Sequence, residues 1–250
     1  MIEIIPAIIP KNFKDLERNL EAVAGLVPLA QIDIMDGKFT PEASWPYQNS
    51  QEDPDFVSIK IEEREFPALE EIDFEVDLMV SDPEAVLQQW ISAGAKRIIP
   101  HYESFKDESV VLEFTQEFQN QYGGDGSFTA LELGIALNIE TPSDVLEAII
   151  ENIDFVQCMG IARIGYQGEP FDERVLDKIR EIHDRYPDLP ISVDGGVNLS
   201  TASALVEAGA TRLVAGSAIF GSDDIPATIE EFQNLEEYGC LLYTSDAADE

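Results

Sequence analysis

The chain has 250 residues, 44% of them hydrophobic and 26% charged, so it is neither an intrinsically disordered chain nor a fibrous repeat. Its length is typical of one eightfold α/β barrel. Fifty acidic residues against fifteen basic ones give a formal charge of −35 at pH 7, which disfavours nucleic acid and anionic membranes as partners.

The acidic excess has two interpretations, which both stay open at this point. It is either a solvated helical surface that keeps the protein soluble or an adaptation to high salt. The first residues, MIEIIPAIIPKNFKDL, lack the basic segment of a secretory signal, and no apolar run reaches the roughly 18 residues that cross a bilayer. Only Cys158 and Cys240 could form a disulfide, so we expect a reducing, cytoplasmic setting.

Eight apolar, β-rich segments alternate with amphipathic segments along the chain, a pattern typical of repeated βα units. The predicted strands are 2–8, 30–36, 72–80, 97–101, 130–137, 154–160, 190–196 and 211–217. The predicted helices are 13–24, 55–64, 82–93, 106–119, 142–151, 172–185, 199–208 and 224–235. Asp82 and Thr141 each precede a proline and are predicted helix caps. Strict alternation favours a closed (β/α)8 TIM barrel over an open doubly wound sheet.

Two segments interrupt this rhythm. Residues 41–55, PEASWPYQNSQEDPD, are polar and proline-rich and follow the second strand, on the face where barrel active sites are built. They are either a lid or a plain surface insertion. The last residues, CLLYTSDAADE at 240–250, match one reading frame of a transposase-based sequencing adapter. We hypothesise that they are an assembly artefact and that residues 1–239 form a single barrel domain; resequencing unsheared DNA tests this.

Acidic residues end predicted strands two, three and seven, namely Asp33, Asp77 and Asp194. Because side chains alternate along a strand, Asp33 shares its face with Gln31, and this polar face points into the barrel. Carboxylates there are costly unless they bind a metal, pair with cations or transfer protons. We therefore predict functional roles, the alternative being that some of them cap loops or helices, as Asp36 does in the sequence MDG.

Glycine clusters follow the last three predicted strands, where backbone N–H groups and helix N-termini can hold an anion. This is also the part of a barrel that commonly binds phosphate. The alternative is that such turns need glycine for positive φ. The predicted phosphate-binding residues are Gly165, Gly168, Gly195, Gly196, Gly216 and Ser217. Arg163, just before the first cluster, adds a positive charge.

Other residues are weaker candidates. His101 ends the fourth strand and could reach the site, whereas His183 lies in an acidic helix and is predicted to be on the surface. Cys158 lies within an apolar strand and is more often core than nucleophile. The sequence contains neither a Walker loop nor GxGxxG, so nucleotide binding is not indicated.

Six motifs, spread over nearly all of residues 2–235, resemble the ribulose-phosphate 3-epimerase family in order and spacing. They are QIDIMDGKF, VDLMVSDPE, GIALNIETP, IGYQGEPFD, ISVDGGVN and GATRLVAGSAIF. The resemblance implies a ribulose-phosphate-binding barrel of the pentose phosphate pathway, often a homo-oligomer. It implies an isomerase that interconverts ribulose 5-phosphate and xylulose 5-phosphate, or a close ketose phosphate.

The resemblance also implies roles for individual residues. Asp33 and Asp194 match the paired acid and base that move a proton α to the ketone on opposite faces of the substrate. A divalent metal ion stabilises the enediolate oxygens as a Lewis acid. Met35, Met79 and Met159 match the family's sulfur cushion around this intermediate.

The metal site departs from the family pattern. Gln31 and Asp77 stand where the family has metal-binding histidines, and Ala7 replaces a serine. The remaining set of Gln31, Asp33, Asp77 and Asp194 offers only oxygen, which suits Mg²⁺ or Mn²⁺ better than Zn²⁺. The segment IARIGYQG is one residue longer than the family's proline-containing turn, so its phosphate donors stay open.

Three functions are compatible with these observations. An active epimerase of a pentulose or hexulose phosphate is favoured because both Asp33 and Asp194 are present. A different sugar-phosphate lyase or isomerase on the same fold would place a lysine beside the aspartates, and strands two and three have none. A non-catalytic phosphosugar-binding barrel is supported by the missing histidines.

Overall fold

The computed structural model describes residues 2–49, 53–123, 131–166 and 168–235. Its strands are parallel and close into a barrel in the order β1 to β8. They are β1 (Glu3–Ile8), β2 (Leu29–Met35), β3 (Asp73–Met79), β4 (Arg97–Pro100), β5 (Glu132–Leu137), β6 (Phe155–Met159), β7 (Ile191–Asp194) and β8 (Arg212–Ala215). The predicted (β/α)8 barrel is confirmed, and an open sheet is excluded because β1 pairs with β8. The predicted tail, 240–250, lies outside the described residues.

Helices follow most strands and cover the outside of the barrel. They are α1 (Phe13–Val23), α2 (Pro54–Lys60), α3 (Pro83–Ser92), α4 (Glu108–Tyr122), α5 (Arg174–Arg185), α6 (Leu199–Ala208), α7 (Ser217–Phe220) and α8 (Ile225–Gln233). The side chain of Asp82 accepts a hydrogen bond from the Ala85 N–H and caps α3, as predicted. The short helix α7 was not among the predicted elements. None of the helices in the described part is long and apolar enough to cross a membrane.

The predicted helix 142–151 is wrong, because the chain forms two 3₁₀ helices there, Ser143–Ala148 and Ile150–Asn152. Groups at the start of this segment are engaged elsewhere. The carbonyl of Thr141 accepts a hydrogen bond from Nζ of Lys178 at 2.7 Å. Its hydroxyl, the predicted cap, donates instead to the carboxylate of Glu103.

The interior of the barrel is unusually polar at its N-terminal end. The guanidinium groups of Arg97 and Arg212 both pair with Glu3 and with the buried carboxylate of Glu75. The Arg212 guanidinium also lies 3.9 Å from the centre of the Phe155 ring. This charged network lies at the N-terminal end of the barrel, below the level of the predicted site residues.

The segment 41–55 is anchored in the core by Trp45. This side chain is 1% exposed and packs edge-on against the rings of Phe13, Phe56 and Trp90, with centroids 5.8, 5.4 and 6.2 Å away. Aromatic pairs in this geometry add stability beyond their buried area. The interpretation of this segment as a lid or a plain surface insertion is therefore wrong for Ser44 and Trp45, and residues 50–52 lie outside the described part of the chain.

Ser44, next to this tryptophan, ties the segment to the end of β2. Its hydroxyl accepts a hydrogen bond from the N–H of Met35 and donates one to the carbonyl of Asp33, both at 2.9 Å. The second βα loop thus supports the strand end that carries a predicted catalytic residue.

Candidate active site

Three acidic side chains meet at the C-terminal ends of the strands. Asp33 and Asp77 are paired in register between β2 and β3, and Asp194 ends β7. One carboxylate oxygen of each lies within 4.8 Å of the others. Asp33 and Asp77 are buried, and Asp194 reaches the edge of a cavity. The predicted convergence is therefore present, and this cluster could hold a metal ion.

Gln31 joins two of these acids from below. Its side-chain Nε2 donates to Oδ1 of Asp33 at 2.8 Å and to Oδ2 of Asp194 at 2.7 Å. Its Oε1 is buried and has no hydrogen-bond partner in the described part of the chain. A rotation of the amide by 180° would place Oε1 where Nε2 now lies, facing the two carboxylates. The two ends of the amide have nearly the same shape, so the same space accepts either orientation.

His101, a weaker candidate in the sequence, lies directly beside the acidic cluster. It follows β4, is fully buried, and its Nε2 lies 3.1 Å from Oδ1 of Asp77, while Nδ1 lies 3.7 Å from Oε2 of Glu103. Burial lowers the pKa of His101, but these carboxylates outweigh it and raise the pKa to about 10. A positively charged imidazole thus sits beside the acidic cluster.

The two predicted catalytic acids hold protons more tightly than free aspartates. Burial, followed by the charges of Asp194 and Asp77, raises the pKa of Asp33 well above its usual range. Burial and Asp77 raise the pKa of Asp194 to about 7, although Gln31 and His101 act in the opposite direction. Burial and the neighbouring carboxylates thus disfavour the ionised form of both acids.

These acids open into a cavity that reaches solvent at its mouth. Asp33, Asp194, Met79 and Met159 line it. The predicted phosphate-binding residues all line the same cavity: Gly165, Gly168, Gly195, Gly196, Gly216 and Ser217. Met35 is buried behind the wall, where its sulfur lies 3.2 Å from the point that a Cβ on Gly165 would occupy.

Two of these glycines are also required by the backbone. Gly195 has φ +93° and Gly196 has φ +71°, in the left-handed region that favours glycine. A Cβ on Gly195 would lie 2.7 Å from Ile161, and one on Gly196 would lie 2.9 Å from Cα of Phe171. The alternative interpretation, that these turns need glycine for positive φ, is thus correct for Gly195 and Gly196. It does not exclude an anion beside them.

The structure also locates three other candidates, Arg163, Cys158 and His183. Arg163, which was expected to add positive charge near the glycine cluster, is exposed and forms a two-pronged ion pair with Glu169. Cys158 is buried in the core, and burial raises the pKa of its thiol to about 12. His183 is exposed, as predicted.

Asp36 has the loop-capping role that was its alternative interpretation. It accepts hydrogen bonds from the backbone N–H groups of Lys38, Phe39 and Ser81 and from the Ser81 hydroxyl. Burial raises the pKa of Asp36, but these bonds outweigh it and lower the pKa. This residue joins the loops after β2 and β3 and lies outside the acidic cluster.

A sequence model of the Ribulose-phosphate 3 epimerase family matches residues 3–220, across all the strands that carry the site. The chain belongs to the ribulose-phosphate 3-epimerase family. It is 30% identical over 239 residues to ribulose-phosphate 3-epimerase of Bacillus subtilis, covering 93% of this chain and 99% of that protein. It is 28% identical to the enzyme of the same name from Schizosaccharomyces pombe, covering 93% of this chain and 92% of that protein. The protein is thus an isomerase of the epimerase class that acts on carbohydrates, as predicted.

Solved structures confirm the barrel. A KGPDC from Streptococcus mutans superposes with a TM-score of 0.64 at 12% identity, covering 95% of this chain and 99% of that one. A 3-hexulose-6-phosphate synthase from Salmonella typhimurium gives 0.63 at 13% identity, covering 94% and 98%. At these identities the likeness concerns the fold alone.

Proposed function

We propose that this member of the ribulose-phosphate 3-epimerase family interconverts ribulose 5-phosphate and xylulose 5-phosphate, or a close ketose phosphate, by proton transfer between two carboxylates. The observation that carries the proposal is the pair of Asp33 and Asp194 on one cavity, held by a shared Gln31 amide. The two acids stand on β2 and β7, which are separated by β1 and β8. They can therefore approach a bound substrate from different sides.

The raised pKa values of both acids fit this task. The ionised carboxylate removes the proton from C3, next to the ketone at C2, and the electron pair moves onto the carbonyl oxygen to give an enediolate. The protonated carboxyl then delivers its proton to the opposite face of C3, which inverts that centre. The raised pKa values of Asp33 and Asp194 favour a state in which one acid is protonated and the other is ionised.

The far side of the cavity fits a phosphate group. Gly195, Gly196, Gly216 and Ser217 belong to the loops after β7 and β8, which commonly bind phosphate in barrels of this kind. Gly165 and Gly168 face them from the loop after β6. Binding of the phosphate there would leave the ketose carbons toward the aspartates, with Met79 and Met159 against the planar intermediate.

The acidic cluster fits a hard divalent cation. Apart from the ion pair of Asp77 with His101, both carboxylate oxygens of Asp77 and Oε1 of Gln31 are buried acceptors without partners among the described residues. The three carboxylates outweigh the single positive charge of His101, so the cluster attracts a cation. Asp33, Asp77, Asp194 and Gln31 would hold the ion through oxygen, which favours Mg²⁺ or Mn²⁺ over Zn²⁺. Such an ion supplies positive charge next to the substrate oxygens on which negative charge develops.

The two-base mechanism is tested by hydrogen exchange in D₂O with Asp33→Asn and Asp194→Asn. We expect each variant to lose about 10³-fold in epimerisation, because one proton transfer is removed. Each should still exchange the C3 proton of one epimer only, and the two variants should differ in which epimer exchanges. Asp177→Asn, at a site 88% exposed on α5, is the matched control and should behave as wild type.

Two outcomes would overturn the proposal. Turnover within tenfold of wild type in both variants would exclude these residues as the bases. Binding of ribulose 5-phosphate by the wild-type protein, without turnover or exchange, would instead identify a non-catalytic phosphosugar-binding barrel.

A further inference from the structure

The loop after β6 is closed at its base and carries part of the cavity wall. Ile161 and Phe171 form an antiparallel bridge, and the N–H of Asp172 donates to the carbonyl of Gly160 at 2.8 Å. The described residues between them, 161–166 and 168–171, therefore leave the barrel and return to it.

This loop, which we call the β6 loop, is wedged between the loops after β2 and β7. A Cβ on Gly165 would lie 2.9 Å from Cβ of Thr40, and the Ile161 side chain packs directly on Gly195. Such contacts leave no space for an added methyl group. These contacts fix the β6 loop in place, and with it the positions of Gly165 and Gly168 in the cavity wall.

Arg163 and Glu169 join the two arms of the β6 loop. Nη2 of Arg163 lies 2.6 Å from Oε1 of Glu169, and Nε lies 3.1 Å from Oε2. The Glu169 side chain is only 14% exposed and lines the cavity, whereas the Arg163 side chain is 70% exposed. A carboxylate thus stands on the wall of the cavity, and its countercharge reaches it from the solvent side.

We propose that Arg163 is a positioning residue for the anionic substrate, because it neutralises Glu169 and holds that carboxylate away from the phosphate. The inference rests on the proposed binding of a sugar phosphate in this cavity. Without the guanidinium, Glu169 is an unpaired negative charge beside a phosphate dianion, in a chain that already carries −35. Substrate binding is then weakened, while the chemistry at the aspartates is unchanged.

The test is a double-mutant cycle with Arg163→Gln, Glu169→Gln and the double variant, measured in low-salt buffer. Arg163→Gln should raise KM for ribulose 5-phosphate and the dissociation constant of inorganic phosphate by about tenfold, with kcat within twofold. Glu169→Gln should lower both KM and the dissociation constant of phosphate, since it leaves Arg163 as a free cation. The double variant should return to within about twofold of wild type. One molar NaCl should shrink the Arg163→Gln defect, because it screens the repulsion.

Arg180→Gln is the matched control, since Arg180 is an exposed arginine paired with Asp177 on α5 and its loss changes the net charge equally. It should leave both constants unchanged. If Arg163→Gln binds phosphate within twofold of wild type, or if the double variant is as weak as Arg163→Gln, the inference is wrong while the proposed function stands. If the wild-type protein binds neither ribulose 5-phosphate nor inorganic phosphate, both proposals are overturned.

Discussion

Asp77 and His101 lie at the ends of neighbouring strands with 3.1 Å between carboxylate and imidazole, both fully buried. A carboxylate stands here where the resemblance to the family implied a histidine. The adjacent strand end supplies an imidazole as its cation. The positive charge next to Asp77 is therefore that of a side chain, the His101 imidazole.

Removal of this imidazole should destabilise the metal-free protein. His101→Phe leaves Asp77 buried without its cation, a change that typically costs about 3–5 kcal/mol. His101→Phe combined with Asp77→Asn should recover much of the loss, because position 77 then no longer carries an unpaired buried charge. Urea unfolding of the metal-free proteins measures both values. An unfolding free energy of His101→Phe equal to that of wild type would show that the pair carries no charge interaction.

Trp45 should behave as a core residue although it lies in a polar, proline-rich segment. Trp45→Ala removes contacts with three aromatic rings and should cost about 3–5 kcal/mol in unfolding free energy. Ile61→Ala, at a side chain 57% exposed, is the comparison and should change stability by less than about 0.5 kcal/mol. Equal, small effects of both substitutions would mean that segment 41–55 is a surface insertion after all.

Gly196 should tolerate alanine less well than Gly168. Both have positive φ, +71° and +77°, but a Cβ on Gly196 would meet Phe171 at 2.9 Å, whereas nothing lies within 4 Å of one on Gly168. Gly168→Ala thus reports the backbone strain alone, about 1–3 kcal/mol, and Gly196→Ala adds a steric clash. Thermal unfolding of the two variants should show the larger loss for Gly196→Ala. A larger loss for Gly168→Ala would contradict the described turn after β7.

Ionisation of Cys158 should lower the free energy of unfolding at alkaline pH. Burial raises the pKa of its thiol from an ordinary value of 9.0 to about 12, so between these values the unfolded chain has lost a proton that the folded one keeps. The stabilising contribution is complete below pH 9 and is lost as the pH rises towards 12. In a Cys240→Ser background, Cys158→Ala should show a shallower decline than the parent in urea unfolding. Identical pH profiles would place the thiol outside the core.

The sequence predicted the barrel well because helices and strands differ in the spacing of their apolar residues, about 3.6 and 2 residues. Both spacings can be recognised within a short stretch of chain. Strand parity placed Asp33, Asp77 and Asp194 on inward faces, and glycines after late strands marked the cavity wall. The ion pair of Arg163 with Glu169 escaped prediction because it depends on how a loop folds back on itself. His101 was underweighted for a similar reason, since its partner Asp77 comes from another strand.

The extra 3₁₀ segments and the buried tryptophan were missed for a related physical reason. Residues 142–151 have helical periodicity, but Lys178 from a distant helix takes the carbonyl of Thr141 at the start of the segment. Trp45 stands among polar neighbours, and only the tertiary fold brings other aromatic rings to it. In both cases tertiary contacts outweigh local propensity.

Metal-dependent epimerisation is tested with ribulose 5-phosphate and metal-stripped protein, refilled separately with Mg²⁺, Mn²⁺, Co²⁺ and Zn²⁺. Formation of xylulose 5-phosphate is followed through a coupled assay. An oxygen-only site of Gln31 and three aspartates predicts turnover that returns with Mg²⁺ or Mn²⁺ and is weakest with Zn²⁺. Absence of turnover with all four ions would overturn the proposed epimerase and leave a phosphosugar binder or a different reaction on this barrel.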